Sequence, residues 1–322
     1  MYEIFCKKRY IWGKLHAMIS AREIKQAASE VGFDLCGIAA CRRFAESEER
    51  FRRWLAAGCH AGLGYLGRHI EKRFNPALLV EGARTAVVCA VNYKSTFSNG
   101  YPEGWRTKIA SYALHRDYHR TLREMLAELL RRLTEGHPGL TGRGFTDSAP
   151  LAEKQLAVAA GLGWVGGHSL LVTPDFGSFV LLGELLLSEP CDCYDAPLED
   201  SGCGSCDRCR KSCPTGAIRS DRTIDAARCI SCRTVERPEA DRLPDIDFDG
   251  WIFGCDACQQ ACPRNRMTPT ASHPAFSHPL DPLALDVAQW LQMDEQAFAE
   301  RFADTPLTRS GLLRIQENIG KE

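Results

Sequence analysis

The stretch Cys203–Ile218 reads CGSCDRCRKSCPTGAI, and its spacing decides how the chain is organised. Cys203, Cys206, Cys209 and Cys213, followed by Pro214, form C-x2-C-x2-C-x3-C-P, the run whose fourth thiolate ligates the other of two iron–sulfur clusters. Further on, GCDACQQACP (Gly254 to Pro263) repeats the last three positions as Cys255, Cys258 and Cys262-Pro263. Cys229, in RCIS, supplies the displaced first position. Crossing the fourth ligands assigns one 4Fe-4S cluster to Cys203, Cys206, Cys209 and Cys262, and a second to Cys213, Cys229, Cys255 and Cys258. Cys232 is an alternative to Cys229. Gly204 and Gly254 allow the tight turns that bring sulfurs inward, and each trailing proline turns the chain away. Zinc uses four ligands and does not demand this run, and a disulfide framework belongs to short secreted domains.

With 322 residues, 44% of them hydrophobic, the chain can bury a large core. A formal charge of -1 gives no global signature of nucleic-acid binding, so an anionic partner must meet local basic patches such as Arg208, Arg210 and Lys211, or Arg264 and Arg266. No run of about 18 apolar residues offers a membrane span. The scattered cysteines Cys36, Cys41, Cys59 and Cys89 suit reduced thiols in a cytoplasm. Residues 1–17 are basic without a cleavable apolar core and read as an extension, with Met18 as an alternative start.

Outward from the cysteines, SARE predicts a capping box from Ser20 to Glu23, opening a helix that stops at Gly32. FDLCGIAA (Phe33 to Ala40) has strand length. A helix over about 44–57 turns Phe51, Trp54 and Leu55 inward. TAVVCAVNY (Thr85 to Tyr93) predicts a strand buried on both faces, and Leu122, Leu126, Leu129 and Leu133 mark an amphipathic helix. Another helix is expected from near Ser148, with Pro150 in its first turn, to Ala160. HSLLVT (His168 to Thr173) and SFVLLGELLL (Ser178 to Leu187) read as a β-hairpin. Gly161, Gly163 and Gly166 imitate a dinucleotide loop but follow a helix and precede a strand, which rejects that reading. The class is α/β (α+β), with a domain over 1–190, a cluster domain over 191–267 and a short helical tail over 268–322.

RFNPALLVEGARTAVVCAVNY (Arg73 to Tyr93), SYALHRDYH (Ser111 to His119), FTDSAPLAEKQLAVAAGLGWVG (Phe145 to Gly166), GSFVLLGELL (Gly177 to Leu186), the eight cysteines and FADTPLTRSGLLR (Phe302 to Arg314) together resemble the epoxyqueuosine reductases of tRNA queuosine synthesis. The resemblance implies a nitroreductase-like cobalamin-binding domain followed by a bacterial two-cluster ferredoxin-like domain. It also implies reduction of epoxyqueuosine at the tRNA wobble position to queuosine, with loss of water. Cluster potentials extend to about -700 mV, low enough to feed a corrin cobalt. Asp147 matches the family's proposed acid, which protonates the departing oxygen. Arg73, His168, Ser178 and Ser231 carry over as cobalamin contacts, and Tyr112, Arg116, Asp117 and His119 as further lining. The partners implied are tRNA containing epoxyqueuosine and a low-potential electron donor, with the enzyme a cytoplasmic monomer and no membrane involved.

The chain departs from the family pattern at Gly167-His168, where a Lys-Asn pair is usual, and at CISC in place of CISY. It also ends 60 residues after Cys262, without the helical repeats that hold tRNA in longer members. Two other functions fit parts of the sequence. One is a corrinoid reductase of small molecules, like a reductive dehalogenase. The other is a ferredoxin-type electron carrier, against which the large first domain and FTDSAP argue.

Overall fold

The computed structural model describes residues 18–199, 202–236, 238 and 243–320. The expected extension over 1–17 lies outside them. Helix α1 (Ala21–Val31) buries Ile24, Ala27 and Ala28 and ends on Gly32 at φ 106°, as its sequence predicts. The capping box does not form. Ser20 makes no side-chain cap; Asp192 Oδ1 accepts the Ala21 N–H instead (2.8 Å), and Glu23 is drawn 3.0 Å from His137.

Next come β1 (Leu35–Ala40), α2 (Ala45–Ala56), α3 (Ile70–Phe74), β2 (Thr85–Asn92), β3 (Lys108–Ile109), α4 (Tyr118–Gly136) and β4 (Gly142–Phe145). They are followed by α5 (Glu153–Ala159), β5 (Trp164–Val165), β6 (Leu171–Val172) and β7 (Val180–Leu187). An antiparallel sheet of order β1-β2-β7-β4 forms the centre. Every residue of β2 is buried, because both faces of the sheet are covered. Val87, Cys89, Val91 and Leu185 meet α1 and α4 on one side, and Val88, Ala90 and Leu186 meet α5 on the other. Helix α2 packs on α3 rather than on the sheet, with Phe51 and Phe74 centroids 5.4 Å apart. Phe51, Trp54 and Leu55 are therefore only half-buried, and the buried residue of α2 is Glu48, neutralised by Arg43 and Arg52.

Two further expectations are corrected. Helix α5 starts at Glu153, not near Ser148, and Pro150 lies outside it. The Ala152 N–H donates to Arg73 O (2.9 Å) and the Asp147 N–H to Glu153 (2.6 Å), so 146–152 is an irregular loop tied to its surroundings. The predicted hairpin reduces to a Thr173–Gly177 bridge. Beyond that bridge β6 pairs with β5 while β7 joins the central sheet. At Gly163 a Cβ would collide with Val172 O, so this glycine serves the close approach of β5 and β6.

The cysteine segment contains α6 (Arg208–Lys211), α7 (Ile230–Val235), β8 (Trp251–Phe253) and α8 (Ala257–Gln260), and β8 pairs in parallel with β3. The tail forms α9 (Val287–Gln292), α10 (Glu295–Phe302) and α11 (Gly311–Ile319). Its Trp290, Phe298, Phe302 and Ile315 share a core with Ile109, Leu114 and Phe253. Among the described residues no helix is long and apolar enough to cross a membrane.

Leu129 is fully buried between α4 and the sheet. Leu129→Ala should lower unfolding stability by about 2–5 kcal/mol, read from denaturant titration with an unchanged m-value.

Candidate active site between the sheet and the cysteine segment

The thiols gather in two groups. Burial raises Cys209 and Cys262, and both also feel the charge of Cys203 and Cys206. Cys255 and Cys258 are raised by burial and feel Cys213 and Cys229. The crossed spacing proposes the same groups as two quartets. Of the competing thiols, Cys229 faces Cys213, whereas the one thiol acting on Cys232 is Cys229. The first quartet lies against β5: the Trp164 indole N–H donates to Cys203 Sγ at 3.3 Å, and a Cβ at Gly167 would stand 3.0 Å from Cys209 Sγ.

Only the second quartet lines the central cavity, a space of about 400 Å3 between β7 and the cysteine segment. Leu170, Leu181, Leu182, Ile218, Ile224 and Ile230 give it apolar walls. Asp147, Glu153 and Lys154 stand where it meets a second cleft of about 740 Å3, lined by Phe51, Trp54 and Arg73.

The predicted contact residues are distributed over this space. His168 is 4% exposed and its Nδ1 accepts the Leu170 N–H (3.3 Å), which puts the ring proton on Nε2. Nε2 has no partner among the described residues. Burial, then the charge of Lys154, pushes His168 down to about 4, so the ring is neutral. Ser231, in the first turn of α7, faces the central cavity and the mouth beside Asp147. Ser178 also lines the cavity, but its hydroxyl donates to Gln259 (3.0 Å) and accepts from Asn265 (2.9 Å). Arg73 lies in the second cleft, its guanidinium 5.6 Å over Phe51 and its Nε without a partner.

Asp147 projects from the loop before α5 with φ 52°. Its Oδ2 accepts from the Tyr118 hydroxyl (2.7 Å) and lies 3.3 Å from His119 Nε2. His119 Nδ1 is 2.8 Å from Asp117 Oδ1, which also accepts the His119 backbone N–H. With Nδ1–H given to Asp117, the Nε2–Oδ2 contact holds one titratable proton, either on a charged ring or on the carboxyl. Hydrogen bonding to His119 lowers Asp147, and the Asp147 contact raises His119. Of the other suggested lining residues, Tyr112 reaches the cavity, whereas Arg116 pairs with Asp304 at 2.8 Å.

Sequence reasoning missed Tyr118, Glu153, Lys154, Glu184, Gln259 and Arg309. Glu153 and Lys154 stood in view in FTDSAPLAEK, as did Glu184 in GSFVLLGELL and Arg309 in FADTPLTRSGLLR. Arg123 and Arg309 line the mouth beside Asp147. The expected basic patches lie by the first quartet: Arg210 and Lys211 pair with Asp207, and Arg264 stacks over Trp164.

A covered sheet facing a cysteine segment with two thiol groups, the second of which lines a cavity, is the architecture of an iron–sulfur oxidoreductase. Residues 73–148 match the family model described as epoxyqueuosine reductase QueG, DUF1730, and residues 202–265 match the 4Fe-4S double cluster binding domain. The chain is 40% identical over 300 residues to the epoxyqueuosine reductase of Cyclobacterium marinum, covering 92% of this chain and 94% of the relative. Among solved structures it is similar to epoxyqueuosine reductase from Streptococcus thermophilus (28% identity, TM-score 0.80, 92% of this chain and 79% of that one). It is also similar to an epoxyqueuosine reductase with an epoxyqueuosine-modified tRNA-Tyr stem loop (29% identity, TM-score 0.80, same coverage). The chain belongs to the epoxyqueuosine reductase family.

In Asp147→Asn the His119 ring loses one of its two charged partners, the other being Asp117, and its pKa falls toward the ordinary value. An NMR titration of the ring carbon protons should show the imidazolium lost at lower pH than in the parent protein.

Proposed function

We propose that this chain reduces the epoxide of epoxyqueuosine in tRNA to the alkene of queuosine, using cobalamin and two 4Fe-4S clusters. The observation that carries this reading is one cavity with Asp147 on one wall and Cys213, Cys229, Cys255 and Cys258 on another. An electron carrier needs no such space. The net change takes up two electrons and two protons: both C–O bonds break, a C=C bond forms, and the oxygen leaves as water.

The residues present fit a corrin. Apolar walls suit its macrocycle, and the unpartnered Nε2–H of His168 suits an amide or phosphate oxygen at its rim. Ser178 and Ser231 border the same space, and Arg73 offers a further donor from the adjoining cleft. Bound there, cobalamin supplies a low-potential cobalt centre, with electrons reaching it from the clusters. The first cluster belongs to Cys203, Cys206, Cys209 and Cys262, and the second to Cys213, Cys229, Cys255 and Cys258.

Asp147 acts as the general acid. It shares a proton with His119, whose orientation Asp117 fixes, and gives it to the departing oxygen. Tyr118 holds the carboxylate toward the cavity. Arg123 and Arg309 at the mouth suit the phosphates of an anticodon loop. Residues 1–190 hold the corrin and the acid, 191–267 the clusters, and 268–322 a tail that brings Arg309 to the mouth. The enzyme takes electrons from a low-potential donor and works as a monomer in the cytoplasm.

Anaerobically reconstituted protein, given cobalamin, a low-potential reductant and tRNA bearing epoxyqueuosine, should form queuosine by nucleoside mass analysis. Asp147→Ala should cut the rate by about 100-fold or more while iron content and corrin binding stay unchanged. Queuosine formation at the parent rate would remove Asp147 from the acid role, and corrin binding without turnover would point to a small-molecule substrate. Because the tRNA contacts are ionic, binding should weaken steeply with salt, and Arg309→Ala should reduce that salt slope by about one.

A further inference from the structure

Beneath the Asp147 loop lies a carboxyl pair that the reaction above does not use. Glu184, in the middle of β7, shares its face with Leu182 and Leu186, the face covered by α5. It is 0% exposed, and both carboxyl oxygens lack a hydrogen-bond donor among the described residues. The carboxyl of Glu153, the first residue of α5, stands within hydrogen-bonding reach of it. Two carboxylates cannot bond to each other, and two buried negative charges in contact are strongly disfavoured, so the contact requires a proton between them.

Glu153 has a second engagement. Its Oε1 accepts the Asp147 N–H at 2.6 Å, holding a non-glycine residue at φ 52°, a left-handed conformation that needs support from its surroundings. Asp147 therefore faces the cavity in a geometry that Glu153 maintains, and Glu153 is itself held by Glu184. We propose that Glu153 and Glu184 are positioning residues, a one-proton carboxyl pair that latches the Asp147 loop in its active position. This rests on the reading of Asp147 as the acid.

The charges around the pair agree. Glu184 is faced by Glu153, Asp147 and Cys89, none of them a cation. Glu153 is faced by Asp147, Tyr118, Lys154 and Arg73. Lys154 donates to Ser169 O at 2.6 Å, and its charge offsets only part of the rise at Glu153. Burial, then the charge of Asp147, pushes Glu153 up to about 7, and burial raises Glu184 further. Both shifts favour the protonated form, so the native state binds more protons than the unfolded chain above the ordinary glutamate range. The pair's contribution to stability is whole below that range and is lost as pH rises through the folded values.

The test uses the reconstituted holoenzyme and reads the loop directly, by hydrogen–deuterium exchange of residues 145–152 corrected for intrinsic rate, and the pair by infrared spectroscopy. As pH rises through the range where the pair gives up its last proton, exchange in the parent protein should rise. In Glu184→Gln, whose amide donates permanently to Glu153, the loop should stay protected across the range and a protonated-carboxyl band should be missing. Should that variant fail to fold, Glu153→Gln keeps Oε1 for Asp147 and gives an amide N–H to Glu184, with the same expected flat profile. Asp147→Asn should lose turnover while keeping the carboxyl band, which separates failure of the latch from failure of the acid assignment. Loop exchange that varies with pH equally in parent and amide variants, or a carboxyl band unchanged in Glu184→Gln, would overturn the proposal.

Discussion

The geometry of the cavity depends on a buried polar seam that fastens the cysteine segment to the sheet body. The Lys94 ammonium, 4% exposed, donates to the carbonyls of Asn265 (2.6 Å) and Thr268 (2.9 Å). Asn265 in turn holds Ser178, which also bonds to Gln259, and Asp256 accepts the Ser111 N–H at 2.6 Å. Leaving any one of these groups buried and unpaired costs about 1–3 kcal/mol, and more for a charge. A slid or rotated cysteine segment would leave several unpaired at once, so the seam selects one docking. That docking sets the second thiol quartet opposite Asp147.

The seam also explains why Ser178 and His168, neighbours on the cavity wall, differ in what they can offer. The hydroxyl of Ser178 is committed on both sides, whereas Nε2–H of His168 is an unused buried donor. A buried donor without a partner is tolerated where a ligand completes it. The Gly167-His168 pair thus combines that donor with close backbone approach to Cys209.

Much of this was legible in the sequence, for identifiable reasons. Spacing singled out the cysteine run, because its C-x2-C steps lie on short loops, and left Cys229 and Cys232 as alternatives. The buried β2 run and the leucines of α4 were legible because periodicity reports burial. The start of α5 was not. Ser148 and Pro150 have the local chemistry of a helix entry, but the Ala152 N–H is taken by Arg73, some eighty residues earlier in the chain, and the Asp147 N–H by Glu153. The hairpin failed for a related reason: the turn at Thr173–Gly177 is real, but competition between two sheets for the flanking strands is tertiary. The burial of Glu184 was not legible because an acid amid leucines in a strand reads as its exposed face, and it becomes sensible only when Glu153 is brought against it.

Asp147 stands between two acid systems that work in opposite directions. Toward the mouth, His119 and Tyr118 stabilise its carboxylate; toward the sheet, Glu153 and Glu184 keep a proton because burial denies them charge. Were both carboxyls beneath it ionised, their field would push its proton affinity up while releasing the loop that aims it. A neutral or singly charged pair does neither. In the proposed reaction Asp147 must give a proton and regain one, and the His119 side is where exchange can occur, since it opens on the mouth lined by Arg123 and Arg309. On the sheet side Glu184 is covered by Leu182, Leu186 and α5 and is suited to hold position instead. One carboxyl thus draws its proton from a solvent-facing partner and its aim from a buried one, which separates the group that must titrate during turnover from the groups that must not.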